Sequence, residues 1–243
     1  MLNRESKPPV YPLLDAEPLF RIRDLHRIYQ MGSEQVHAVN GVTVDLLPGK
    51  MTAIVGRSGS GKTTFLNLIS GLDKPTQGEI WFADQRIDTL PEANLLALRR
   101  EKIGFVFQSF GLLPLLSAAE NVGVPLRMRS MGRREREERV TQALGWVGLL
   151  ERAHHRPYEL SGGEQQRVAV ARALAAAPRV ILADEPTGQL DSQTGRRLLD
   201  LMRRLVAEQG ITLIIVTHDP QVMSEVDIIH EMRDGHLIDT RHK

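Results

Sequence analysis

The sequence predicts an α/β domain in which helices cover both faces of a parallel sheet, with antiparallel strands ahead of it. Three observations carry this. Val180-Ile181-Leu182-Ala183 and Ile211-Thr212-Leu213-Ile214-Ile215-Val216 are near-continuous apolar runs, the pattern of strands buried on both faces. Met51-Thr52-Ala53-Ile54-Val55 and Thr64-Phe65-Leu66-Asn67-Leu68-Ile69 flank a glycine-rich loop, a strand–loop–helix order. Phe20-Arg21-Ile22 and Val42-Thr43-Val44-Asp45-Leu46 alternate instead, as strands with one wet face do.

In chain order, residues 1–18 hold Pro8, Pro9, Pro12 and Pro18 without periodicity and read as a flexible N-terminal arm. Residues 19–243 read as a single domain. Short antiparallel strands fill Leu19 to Leu47, separated by Met31-Gly32-Ser33-Glu34 and closed by Pro48-Gly49. A polar stretch from Asp84 to Glu92 precedes the run Ile103-Gly104-Phe105-Val106-Phe107. A helical section then extends from about Leu115 to Leu150; in it Glu135 and Arg139 stand four apart on a solvated face. The two apolar strands follow, and Asp234-Gly235 marks a final hairpin turn.

Composition excludes several classes. Among 243 residues, Lys+Arg 31 against Asp+Glu 30 gives a net charge of +1, so no global field recruits nucleic acid or an anionic membrane. Without cysteine there is no disulfide, thiolate nucleophile or Cys-based metal site, which suits a reducing cytoplasm. No apolar run is long enough to span a bilayer, and the N-terminus lacks the apolar core of a signal peptide. A soluble, unexported protein is expected, meeting a membrane only through a partner.

The chemistry starts at Gly56-Arg57-Ser58-Gly59-Ser60-Gly61-Lys62-Thr63, followed by Thr64, a full match to the phosphate-binding loop G-x-x-x-x-G-K-[ST]. Glycines let successive backbone N–H groups face phosphate oxygens, and the helix N-terminus adds partial positive charge. Lys62 suits the β- and γ-phosphates and the Thr63 hydroxyl suits Mg²⁺. Asp184-Glu185 ends an apolar strand, where open α/β sheets gather their ligands. Asp184 is assigned to the metal and Glu185 to general-base work on water. Leu160-Ser161-Gly162-Gly163-Glu164-Gln165 carries the S-x-x-E capping box. Two glycines behind the cap make a second anion cradle, which spacing does not explain.

These residues resemble the motifs of ATP-binding cassette (ABC) proteins. Leu160-Ser161-Gly162-Gly163-Glu164-Gln165 is similar to the family signature; Tyr29 matches the aromatic that stacks on adenine, and Gln108 the glutamine loop. Gln189-Leu190-Asp191 matches the loop after the strand acids, and His218 the switch histidine that senses the γ-phosphate. The resemblance covers about Leu19 to Thr240. It implies a P-loop NTPase RecA-like core with an N-terminal antiparallel β subdomain and an inserted α-helical subdomain over about 109–158. It also implies ATP and Mg²⁺, with Thr63, Gln108 and Asp184 around the metal. A head-to-tail dimer follows, of two copies or with a related ATPase, in which Ser161, Gly162, Gly163 and Asp191 of one protomer close over nucleotide held by the other. Both cradles then belong to composite sites.

The wording of Gly104-Phe105-Val106-Phe107-Gln108, Leu112-Leu113-Pro114, Glu120-Asn121-Val122 and Leu182-Ala183-Asp184-Glu185-Pro186-Thr187-Gly188 is similar to the macrolide/peptide-exporter and lipoprotein-releasing subgroup. The cell-division ATPase is close as well; Gln189 stands where the subgroup generally has Asn. The resemblance implies an ATPase subunit separate from an integral membrane permease. It would sit peripherally on the cytoplasmic face of the inner membrane and drive an exporter or a mechanotransmission system. A regulatory, non-transport role is the alternative. The segment Phe110 to Leu116 is expected to meet the permease with part of its leucines, the rest packing into the core. The stretch between Gln108 and Ser161 is too short for the coiled coil of a DNA-repair ATPase, and there is one cassette where a translation factor needs two.

Overall fold

A computed structural model describes residues 17–243; the arm expected over residues 1–18 lies outside them except for its last two. Two sheets form the frame. The first holds β1 (Phe20–Met31), β2 (Glu34–Leu46), β4 (Gln77–Phe82) and β5 (Gln85–Arg86) in the antiparallel order β2-β1-β4-β5. β1 and β2 are longer than the short segments expected, 12 and 13 residues. Register shifts between Ile22 and Ile28 break the alternation that would have marked the full length.

The second sheet runs β10-β9-β3-β8-β7-β6, from β3 (Met51–Val55), β6 (Ile103–Val106), β7 (Val180–Asp184), β8 (Thr212–Thr217), β9 (Ile228–Arg233) and β10 (His236–His242). All neighbours are parallel except the edge pair β9–β10. That pair turns at Asp234 and Gly235, both at positive φ (47° and 80°), the backbone a tight hairpin needs.

Alternate residues of the central strands feed two cores. Ile54, Leu182, Ile214 and Val216 join α1 (Lys62–Ile69) and the antiparallel sheet on one face. Ala53, Ala183, Leu213 and Ile215 join α3 (Ala118–Arg127), α4 (Arg133–Trp146), α5 (Gly162–Ala175) and α6 (Ser192–Gln209) on the other. Burial on both faces accounts for the unbroken Val/Ile/Leu runs. The polar stretch after Asp84 contains β5 and leads into α2 (Glu92–Lys102). The helical middle is two helices, and α5 packs on both of them. Glu135 and Arg139 pair as expected, beside Arg133–Glu137 and Arg134–Glu138. A last short helix, α7 (Pro220–Glu225), follows β8.

Candidate functional site

β3 ends at Val55 and the chain curls through residues 56–61 before α1 begins at Lys62. Two glycines are dictated by close approach. A Cβ at Gly56 would stand 2.2 Å from the Met232 carbonyl oxygen. One at Gly61, whose φ is +99°, would stand 2.0 Å from the Ala38 carbonyl oxygen. Arg57, Ser58 and Gly59 are exposed at the crest, Thr64 is half-buried one residue into the first turn, and Ser60 is buried with its Oγ unbonded among the described residues. Lys62 folds back inside the loop, its Nζ donating to the Gly56 and Arg57 carbonyls at 2.8 and 2.9 Å. Burial pushes this amine below its ordinary range, while Glu185 and Asp184 act in the opposite direction.

The carboxyl ends of β7 and β8 bring acids to the same place. Thr63 Oγ1 donates toward Asp184 Oδ2 and Oδ1 at 3.2 and 3.4 Å. Burial raises the Asp184 carboxyl above its usual range, and neighbouring Glu185 adds to this against Thr63 and Lys62. Glu185 turns with φ +46°, an uncommon conformation for a side-chain-bearing residue, which aims its carboxylate across to β8. There Thr217 Oγ1 donates to Oε2 at 2.7 Å, and His218 Nδ1 lies 2.7 Å from Oε1. The imidazole itself is exposed. Gln108, exposed after β6, reaches the same turn, since a Cβ on Gly188 would meet its Nε2 at 2.9 Å.

Lys62, Thr63, Gln108, Asp184, Glu185 and His218 therefore converge. Among the described residues no cluster of three or more His, Asp or Glu forms a ready cage for a metal ion. Mg²⁺ needs none, because it keeps water and substrate phosphate in its shell and takes one or two protein oxygens. The Asp184 carboxylate facing the Thr63 hydroxyl supplies that donor set. Tyr29 stands apart on β1, its hydroxyl donating to Asp73.

The remaining residues line a second place. Ser161 caps α5: its Oγ accepts from Glu164 N–H at 3.3 Å, and Glu164 Oε2 accepts from Ser161 N–H at 2.9 Å. Asp191 caps α6, its Oδ1 accepting from Gln193 and Thr194 N–H at 3.0 Å each; the Thr194 side chain first, and then these N–H bonds, hold it below the usual carboxylate range. Ser161, Gly162, Gly163 and Asp191 border an open cleft of about 470 Å³ that Arg167 and Arg197 also line. No residue of the phosphate loop borders it.

Sequence reasoning missed three participants. Thr217 was visible only as the end of a strand, yet it tethers Glu185. Gln166, fully buried, donates from Nε2 to the Pro186 carbonyl at 2.8 Å and the Phe107 carbonyl at 3.3 Å, joining α5 to both acid and glutamine turns. Asp219 accepts from Thr187 Oγ1 at 3.0 Å. Gln166 sits in the polar run Glu164-Gln165-Gln166-Arg167, so nothing in its local sequence marked it as buried.

A family model described as ABC transporter matches residues 39–188. The chain belongs to the ABC transporter family. This cassette is 44% identical over 223 residues to an uncharacterized ABC transporter ATP-binding protein of Methanocaldococcus jannaschii, MJ0796, covering 90% of this chain and 95% of that one. It is 45% identical over 221 residues to the macrolide export ATP-binding/permease protein MacB of Wolinella succinogenes, covering 91% of this chain and 34% of that protein. The chain thus spans about a third of the length of such macrolide-export relatives. Among solved structures, a dimeric post-hydrolysis state of MJ0796 bound to ADP and Pi superposes with a TM-score of 0.84 at 42% identity, covering 92% of this chain and 98% of that one. The expected fold, an ATPase cassette with an antiparallel β subdomain and a helical one, is the fold observed. No helix among the described residues is long and apolar enough to cross a membrane.

Proposed function

We propose that residues 19–243 form one ATPase domain, the nucleotide-binding subunit of a membrane ABC complex, working as a dimer beside an integral membrane permease. One observation carries the reading. The chain has two sets of anion-facing backbone donors, and only the one at Lys62 has beside it a lysine and the Thr63–Asp184 oxygens that suit Mg²⁺; the carboxylates at the other, Glu164 and Asp191, are engaged in capping α5 and α6. A cradle without a lysine or a metal-binding acid of its own is completed by those of another copy. Ser161, Gly162, Gly163 and Asp191 of one protomer close over ATP that its partner holds on residues 56–64, with Tyr29 against the base.

Within that pocket Lys62 leaves its two carbonyl partners for the β- and γ-phosphates. Thr63, Asp184 and Gln108 would hold Mg²⁺, whose charge would offset that of the transferring phosphoryl. Glu185, fixed by Thr217 and His218, takes the proton of the attacking water. His218, exposed beside the acid, senses the γ-phosphate. ATP binding closes the dimer and hydrolysis releases it, moving the permease at the cytoplasmic face of the cell membrane, where this subunit is peripheral. Leu113 and Leu115, 48% and 81% exposed while Leu112 and Leu116 are half-buried, are the apolar contacts offered to that permease. Export or mechanotransmission fits the subgroup wording.

Glu185→Gln tests the core of this. Turnover is expected to fall by about 10²–10⁴ while Mg-ATP still drives the monomer to a dimer in light scattering. Wild-type turnover in the variant removes Glu185 from its role, and ATP bound only by monomers removes the shared pocket.

A further inference from the structure

Asp73 joins two parts of the nucleotide site. The N–H groups of Leu72 and Asp73 donate to the Asn67 carbonyl at 2.9 and 3.1 Å, which fixes the residue to the end of α1, the helix that begins at Lys62. Its carboxylate then crosses to β1. The Tyr29 hydroxyl donates to Oδ2 at 2.6 Å, Arg27 Nε donates to the same oxygen at 2.9 Å, and Arg27 Nη2 pairs with Oδ1 at 2.8 Å. Two more bonds strap the loop to that strand: Thr76 N–H to the His26 carbonyl at 2.8 Å, and Ile28 N–H to Thr76 Oγ1 at 3.0 Å. The Arg27 guanidinium lies over the Tyr29 ring, 4.4 Å from its centroid, a cation–π contact on one face.

We propose that Asp73 is a positioning residue for the nucleotide base: through the Tyr29 hydroxyl and Arg27 it holds the aromatic ring at a set span from the phosphate loop. The inference rests on the reading that Tyr29 meets the base. A tyrosine on a free strand samples several rotamers, and ordering it on binding costs affinity. Here the hydroxyl is anchored, one face is filled, and the anchor belongs to the helix that opens with the phosphate lysine. Stacking on the opposite face then requires no reordering. The strap acts on the base alone, because the phosphates contact the other end of α1.

Titration calorimetry of the full chain with Mg²⁺, using ATP and inorganic tripolyphosphate in parallel, separates this from a plain loop strap. Tyr29→Ala should bring ATP down to the affinity of tripolyphosphate. Asp73→Asn and Tyr29→Phe should each weaken ATP by roughly threefold to tenfold and leave tripolyphosphate unchanged. Equal weakening of both ligands by Asp73→Asn, or of neither, overturns the inference. If Tyr29→Ala weakens ATP while Asp73→Asn and Tyr29→Phe do not, the positioning role alone fails. If Tyr29→Ala leaves ATP untouched, the base contact fails and the inference with it. Tyr29→Phe keeps the ring and removes only the tether, so it decides the matter even if Asp73→Asn does not fold.

Discussion

Two helices of this chain start in the same way and end up with different uses. α3 opens with Ser117-Ala118-Ala119-Glu120 and α5 with Ser161-Gly162-Gly163-Glu164, each a capping box. The bonds nearly superimpose: Glu120 N–H to Ser117 Oγ is 3.2 Å and Ser117 N–H to Glu120 Oε2 is 2.8 Å, against 3.3 and 2.9 Å at α5. At α3, however, the remaining first-turn donors are taken. Ala118 N–H donates to the His155 carbonyl at 2.8 Å and Ala119 N–H to the Ala153 carbonyl at 2.9 Å. At α5 the N–H groups of Gly162 and Gly163 have no acceptor among the described residues and open on the cleft lined by Arg167 and Arg197. A capping box marks where a helix begins. Unspent donors beside it are what make an anion cradle.

The contrast is broken most severely by filling the α5 cradle. A Cβ on Gly163 would already lie 2.5 Å from Thr194 Cγ2, so Gly163→Val pushes α5 and α6 apart and shields the donors. ATP-driven dimerisation should disappear and turnover should fall by about 10²-fold or more. The matched change at α3, Ala119→Gly, should cost about 1 kcal/mol of stability and leave turnover at the wild-type level. Comparable loss of turnover in both variants would place the effect in helix stability.

Removing each cap serine is the next step down. Ser161→Ala and Ser117→Ala should each lose about 0.5–2 kcal/mol in denaturant melts. Only Ser161→Ala should also slow hydrolysis, by about tenfold, the scale of one hydrogen bond to a charged group. Steady-state rates measured at matched folded fraction check this.

Why one start was legible as a site and the other as a helix follows from where the information lies. Gly162-Gly163 is written in side-chain identity, as are the phosphate loop, the acids ending β7 and the unbroken apolar strands, and all of these are legible without geometry. The plug at α3 is made by main-chain carbonyls of His155 and Ala153, which any residue carries. The identity of His155 therefore carries no signal of this role, although its backbone carbonyl closes the α3 donor. The Thr217 tether on Glu185 and the Asp73 bridge to Tyr29 join residues over thirty positions apart, and neither has a local pattern. β1 and β2 were legible only where alternation survived, because register shifts move the inward face partway along.

The smallest effect concerns the capping glutamates, and here the two helices should agree. Both carboxyls sit below the usual range, held chiefly by the serine backbone N–H, with Arg152 near Glu164 and Arg127 near Glu120 adding to it. A folded pKa below the unfolded value means the charged form stabilises the native state. That contribution is complete above the unfolded pKa, about 4.3, and is lost as pH falls through the lower folded value. Glu164→Gln and Glu120→Gln keep an oxygen that accepts from the serine and remove only the charge. Each should therefore lower the melting temperature modestly near neutral pH, and the gap to wild type should close on acidification through the carboxylate range. The Arg152–Glu164 ion pair and the Coulombic pull of Arg127 on Glu120 are both screened by solvent ions, so salt should shrink both gaps. A gap at Glu164 that persists in acid while that at Glu120 closes would mean the two caps differ in charge as well as in their free donors. The contrast between them would then no longer rest on Gly162 and Gly163 alone.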